Sequence, residues 1–188
     1  NVNILSRMGK GLNLLKSYVK IGGKKRKRRD MGKIFCFGSD VDTDQIIASQ
    51  YLLYPSVAEM APHCFESLDE NFATAVQAGD FVVARDNFGC GSSREQAPAV
   101  LKALGVRAVF ANSFARIFFR NAINIGLPVI VCENLIERVK PGEELSLDLE
   151  NGTVSVGGQN YRCTKLPQKM QEILDRGGLI AALNREEA

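Results

Sequence analysis

The side chains of this 188-residue chain best suited to chemistry lie close together, at Ser92, Ser93 and Arg94. Two hydroxyls and a fixed positive charge follow Gly89-Cys90-Gly91, whose glycines admit backbone angles closed to other residues. The apolar run at residues 81–84 predicts a buried strand just before them. Ala97, Val100, Leu101 and Leu104 trace one helical face just after them. Ser92 stands three residues before Glu95, and Ser93 three before Gln96. Either spacing matches a capping box, so a helix is predicted to begin at the serines, with Pro98 in its first turn. A helix N-terminus offers unpaired N–H groups and partial positive charge, which attract an anion. The plainer alternative is a capping serine, but a cap needs neither the second hydroxyl nor the guanidinium.

The anion is predicted to be a small carboxylate rather than a cofactor phosphate. Residues 89–94 fall short of the dinucleotide fingerprint, because Arg94 replaces its third glycine. No Asp or Glu occurs between Glu95 and Glu133 to meet a ribose, and no Gly-Lys-Ser/Thr phosphate loop is present. A guanidinium grips a carboxylate through two parallel hydrogen bonds.

The stretch Asn87-Phe88-Gly89-Cys90-Gly91-Ser92-Ser93-Arg94-Glu95 resembles the signature of the swivelling domain of the aconitase superfamily. Ser113-Phe114-Ala115-Arg116-Ile117-Phe118-Phe119-Arg120-Asn121 and Asp40-Val41-Asp42-Thr43-Asp44-Gln45-Ile46-Ile47 resemble two further family motifs, in the family's order, over roughly residues 33 to 165. Within the superfamily the resemblance is to separate small subunits of the 3-isopropylmalate dehydratase type. It implies a swivelling β/β/α three-layer domain of the α/β class. It also implies a hydro-lyase that isomerises a hydroxy diacid by dehydration and rehydration in leucine biosynthesis. Carried over by position, Ser92 and Asp44 are catalytic, with Ser92 as the base. Ser93 and Arg94 hold substrate carboxylate, and Leu53 meets the substrate's alkyl group where relatives acting on an extra carboxylate carry arginine. A 4Fe-4S cluster is expected on a partner large subunit, with no metal held by this chain. Related dehydratases of the homoaconitase, 2,3-dimethylmalate or citraconate/methylmalate type remain open, as does a non-catalytic carboxylate-binding module.

The residues themselves add that a serine hydroxyl is a poor base. It needs the helix terminus, N–H donors and Arg94 to stabilise its alkoxide. Asp40, Asp42 and Asp44 would repel a diacid unless paired, so a bond from Asp44 to Arg94 or Ser92 is expected; Asx turns are the alternative for Asp42 and Asp44. The apolar Leu52-Leu53 pair suits a branched alkyl group, or simply the core. With one histidine, His63, and no Gly-x-Ser-x-Gly elbow, a Ser-His-Asp hydrolase is disfavoured.

Composition bounds the rest. Apolar residues make up 45% of the chain and charged residues 24%, as in ordinary globular proteins. No apolar run is long enough for a membrane span, so no membrane role is expected. Five cysteines, at 36, 64, 90, 132 and 163, lack metal-ligand spacing and are expected as reduced thiols in the cytoplasm. The net charge of +3 is divided. Residues 1–30 hold ten of the 24 basic residues and one of the 21 acidic ones, leaving +9 there and −6 in the remainder. Residues 1–30 are therefore expected to be a disordered upstream or vector-derived leader, or an organelle-targeting extension, ahead of one domain at 31–188. Nucleic-acid binding is the weakest reading of this basic run, which has no interleaved aromatic except Tyr18.

Along the chain, strands are predicted at residues 33–38, 107–111 and 127–132, and short helices at 57–64 and 69–77. Phe114, Ile117, Phe118, Asn121 and Ile125 would line one face of a further helix, with Arg116 and Arg120 at i, i+4 on one side, either adding positive potential near the anion site or standing as solvated or paired charges. Alternating strands and helices predict parallel pairing. Short strands at 145–149, 153–156 and 161–164, parted by Asn151-Gly152 and Gly157-Gly158, predict antiparallel hairpins. Two short helices, split at Gly177-Gly178, close the chain.

Overall fold

The computed structural model describes residues 31–184 and, before them, the backbone of Tyr18–Ile21 (β1) and Lys24–Lys27 (β2). Where the sequence predicts a disordered leader, β1 and β2 pair antiparallel. The expectation for the rest of residues 1–30 lies outside the described residues. Then follow β3 (Met31–Cys36), α1 (Thr43–Ile46), α2 (Val57–Met60), α3 (Phe72–Ala75), β4 (Phe81–Val83), α4 (Gln96–Ala103) and β5 (Ala108–Ala111). After these come α5 (Arg116–Ile125), β6 (Val129–Val131), β7 (Glu144–Asp148), β8 (Thr153–Val156), β9 (Gln159–Arg162), α6 (Gln168–Asp175) and α7 (Leu179–Leu183).

One seven-stranded sheet runs β6-β5-β4-β3-β7-β8-β9. Its first four strands are parallel and the rest antiparallel, with β3 as the pivot: Ile34–Cys36 pair with β4, whereas Met31–Lys33 pair with β7. The two halves face each other across a core. Phe81, Val83, Ala108, Phe110 and Ile130 of the parallel half meet Leu145, Leu147, Val154 and Val156 of the other. The alternate residues Val82, Val109, Ala111 and Val129 pack on the helices. Both faces of the parallel strands are thus buried, which is why they read as continuous apolar runs. The result is the expected β/β/α layering.

The outer edges also meet, since the Thr164 N–H donates to the Val131 carbonyl at 2.8 Å. Cys132 and Cys163 are joined there as a disulfide, their Cα atoms 4.3 Å apart. This corrects the expectation of five reduced thiols: closure of the sheet brings together cysteines 31 residues apart in sequence, while Cys36, Cys64 and Cys90 are free.

Two further expectations are corrected. α4 begins at Gln96, not at the serines, and its N-cap residue Glu95 makes no side-chain capping bond. On α5 the buried residues are Phe118, Ala122 and Ile123, while Ile117 is 51% exposed; the predicted face was rotated. Among the described residues no helix is long and apolar enough to cross a membrane.

Gly89 shows how tightly the parallel half is built under the serine loop. It sits at φ +80°, and a Cβ there would lie 2.1 Å from the Phe118 ring. Gly89→Ala is expected to cost about 2 kcal/mol or more, through backbone strain and overpacking together, measured by chemical denaturation.

Candidate active site

The carboxyl ends of β3, β4 and β5 open into three loops, and these remain bonded to one another beyond the strands. Between the first two loops, the Asp40 N–H donates to the Asp86 carbonyl, Gly89 to Val41 and Thr43 to Cys90, at 2.7–2.9 Å. Between the second and third, Phe88 N–H donates to the Ser113 carbonyl and Ala115 to that of Phe88, both at 3.0 Å; the Asn87 N–H donates to Ser113 Oγ at 2.8 Å. Beneath them Phe88 is fully buried, edge-on to Phe118 with ring centres 5.2 Å apart. Residues 87–91 are therefore pinned from both sides and from below.

Each of the three aspartates has a partner. Asp40 accepts from the Asn87 amide at 2.8 Å. Asp42 forms the capping box, accepting from the Gln45 N–H at 2.8 Å while the Gln45 side chain accepts from its own N–H. The turn-forming alternative thus holds for Asp42. Asp44 pairs with Arg94: Nη1 lies 2.5 Å from Oδ1 and Nη2 2.8 Å from Oδ2. Nη1 also donates to the Ile47 carbonyl at 3.0 Å, and Ser49 Oγ to Asp44 at 3.0 Å. The expected bond from Asp44 is made to Arg94 and not to Ser92.

A guanidinium carries five N–H donors. Asp44 and Ile47 take both on Nη1 and one on Nη2, so the edge formed by Nε and Nη2 has no partner among the described residues. Arg94, its side chain 15% exposed, is anchored on one edge and unpartnered on the other.

Gly91, Ser92 and Ser93 are exposed. Thr43, which the sequence did not single out, is almost fully buried and holds Ser92. Its hydroxyl donates to the Ser92 carbonyl at 3.0 Å, and its Oγ1 is 3.3 Å from Ser92 Oγ. Because Thr43 has a single proton and gives it to the carbonyl, Ser92 is the donor in the hydroxyl pair. A threonine one residue before a carboxylate carries no signal without knowing which loop it faces. Leu53 ends the short 3-10 helix Ser49–Leu53, the one whose Ser49 bonds Asp44, and stands 87% exposed. His63, given no role from sequence, stacks on Tyr51 of that helix at 3.8 Å, and the Tyr51 hydroxyl donates to Glu66.

Hydrogen bonding from Arg94, helped by Ser49 and opposed by partial desolvation, holds the Asp44 carboxyl below the usual carboxylate range. Burial, with Asp42 and Asp40 adding, pushes the Cys90 thiol up. Among the described residues no group of three or more His, Cys, Asp or Glu is gathered to hold a metal ion, and these residues do not fit an iron–sulfur cluster.

A family model described as the aconitase C-terminal domain matches residues 37–134. The 3-isopropylmalate dehydratase small subunit 1 of Archaeoglobus fulgidus is 51% identical over 152 residues, covering 80% of this chain and 94% of that protein. The 2,3-dimethylmalate dehydratase small subunit of Eubacterium barkeri is 46% identical, covering 83% and 97%. Among solved structures, a 3-isopropylmalate dehydratase from Methanocaldococcus jannaschii superposes with a TM-score of 0.80 at 42% identity, covering 84% of this chain and 95% of that one.

The lowered Asp44 pKa gives a signed pH dependence. Its contribution to stability is complete above the ordinary aspartate value of about 3.9 and is lost as pH falls through the lowered one. An NMR titration is expected to place the Asp44 midpoint below that ordinary value, and Arg94→Ala to move it up.

Proposed function

The chain belongs to the aconitase C-terminal domain family, and on that footing we propose that it is the small subunit of a hydro-lyase interconverting 2-isopropylmalate and 3-isopropylmalate. The observation that carries this is the Arg94 fork, clasped by Asp44 on one edge and unpartnered on the other, in the loop that exposes Ser92. The open Nε–Nη2 edge takes a substrate carboxylate bidentately, and Ser93 adds a hydroxyl to the same carboxylate. Asp44 acts through Arg94 as a positioning residue. It neutralises part of the guanidinium charge and fixes the plane of the fork before substrate arrives.

Ser92 is the base. It takes the carbon-bound proton during dehydration and returns it during rehydration at the neighbouring carbon. With α4 starting four residues later, the helix terminus contributes less than the sequence suggested. Stabilisation of the alkoxide falls to the Arg94 charge and to Thr43, whose proton turns from the Ser92 carbonyl to the Ser92 oxygen once that oxygen is ionised. Leu53, exposed and without a packing role in this chain, meets the substrate's alkyl group. The 4Fe-4S cluster that serves departure of the hydroxyl group belongs in this reading to a large partner subunit. The 46% identity with the Eubacterium barkeri protein favours 2,3-dimethylmalate as the second candidate substrate; its extra methyl groups suit the same apolar contact.

The test is to combine the chain with purified cluster-bearing large subunits and assay isopropylmaleate hydration. Turnover is expected from the pair and none from this chain alone. Ser92→Ala is expected to lower kcat by about 10²–10⁴-fold with assembly intact, the range for losing a positioned base; undiminished turnover refutes the assignment. Thr43→Val is expected to lower kcat by about tenfold, the loss of one hydrogen bond of about 1–1.5 kcal/mol, with KM little changed.

A further inference from the structure

Outside the serine loop, the side chains that the proposed chemistry leaves unused gather on α5. A groove of about 720 Å³ runs between α5 and α6, with Phe119, Ile123, Met170 and Ile173 as its apolar lining and Arg116 and Arg120 beside them. No carboxylate lines it. Both arginines are exposed, and neither makes an ion pair or hydrogen bond among the described residues. Exposed i, i+4 cations commonly find an acid on their own helix, but residues 96–132 contain none.

The groove reaches the third loop of the candidate active site: Ser113 and Phe114 line it, Phe114 forms a β-bridge with Phe88, and Ser113 accepts from the Phe88 and Asn87 N–H groups. A subunit seated on these loops would lie beside it.

We propose that the groove docks an acidic segment of the large subunit, an aliphatic or aromatic side chain entering between α5 and α6 while flanking carboxylates meet Arg116 and Arg120. The inference rests on the small-subunit reading above. Charge complementarity selects the partner: two unpaired guanidinia over an apolar floor reject a basic segment and give an acidic one both steering and a buried anchor.

The experiment measures association of the full chain with a purified large subunit at several salt concentrations, alongside turnover at saturating partner. Arg116→Ala/Arg120→Ala is expected to weaken association by about tenfold and flatten its salt dependence, with kcat of the saturated complex within about twofold of wild type. Arg116→Glu/Arg120→Glu should weaken it further, and the double lysine variant should recover part of the loss. Lys140→Ala, an exposed charge elsewhere, should change nothing. Hydrogen exchange of the wild-type pair provides a readout independent of variant folding, with protection expected at residues 116–120 and 170–173. Wild-type assembly and turnover with unchanged affinity in the alanine variant, or with no protection of those residues, overturn the groove and leave the small-subunit reading standing. Failure of the wild-type chain to assemble with any large subunit overturns both.

Discussion

The clasp between Arg94 and Asp44 is the constraint from which the site follows. An arginine alone in an acidic neighbourhood would sample many rotamers, and its charge would be spread over whichever aspartate lay nearest. Here the carboxylate takes the end of the fork and the Ile47 carbonyl takes the remaining Nη1 proton. The long side chain's rotamer freedom is therefore lost before any ligand binds, which is preorganisation in its simplest form. Because Asp40 and Asp42 are each occupied by a neighbouring amide, the anionic density of this loop does not face an incoming diacid unopposed.

That clasp would have little value on a mobile loop. The three loops at the carboxyl edge behave instead as a continuation of the sheet, because backbone bonds link the first to the second and the second to the third. Left-handed turns at Asp40, Asn87, Gly89 and Gly91 let the chain double back without breaking those links. Phe65, Phe72, Phe88 and Phe118 form a fully buried aromatic bed under them. Rigidity comes from the core and the backbone, leaving the serine hydroxyls free to stay at the surface.

Exposure at the surface is itself informative. Ser92, Ser93 and Leu53 stand in the open, where a complete enzyme would enclose them to exclude water. Beside them lies an apolar groove whose two arginines have no partner among the described residues.

The chain's local chemistry was legible without coordinates. The apolar runs of the parallel strands, the Gly-separated hairpins of β7–β9, the paired terminal helices, and the Ser92–Arg94 loop with its need for a nearby acid all follow from spacing and residue type. Three decisions depended on tertiary packing. Ser92-x-x-Glu95 and Asp42-x-x-Gln45 both fit a capping box, yet only the second forms one, while the Ser92 carbonyl is held by Thr43 from the neighbouring loop. The face of α5 turned because Phe118 had to meet Phe88 and Gly89, carrying Ile117 outward. Cys132 met Cys163 because the sheet bends at β3 until its two edges touch. Each is a choice between local options of similar energy, settled by contacts between residues more than 25 positions apart, which no periodicity records.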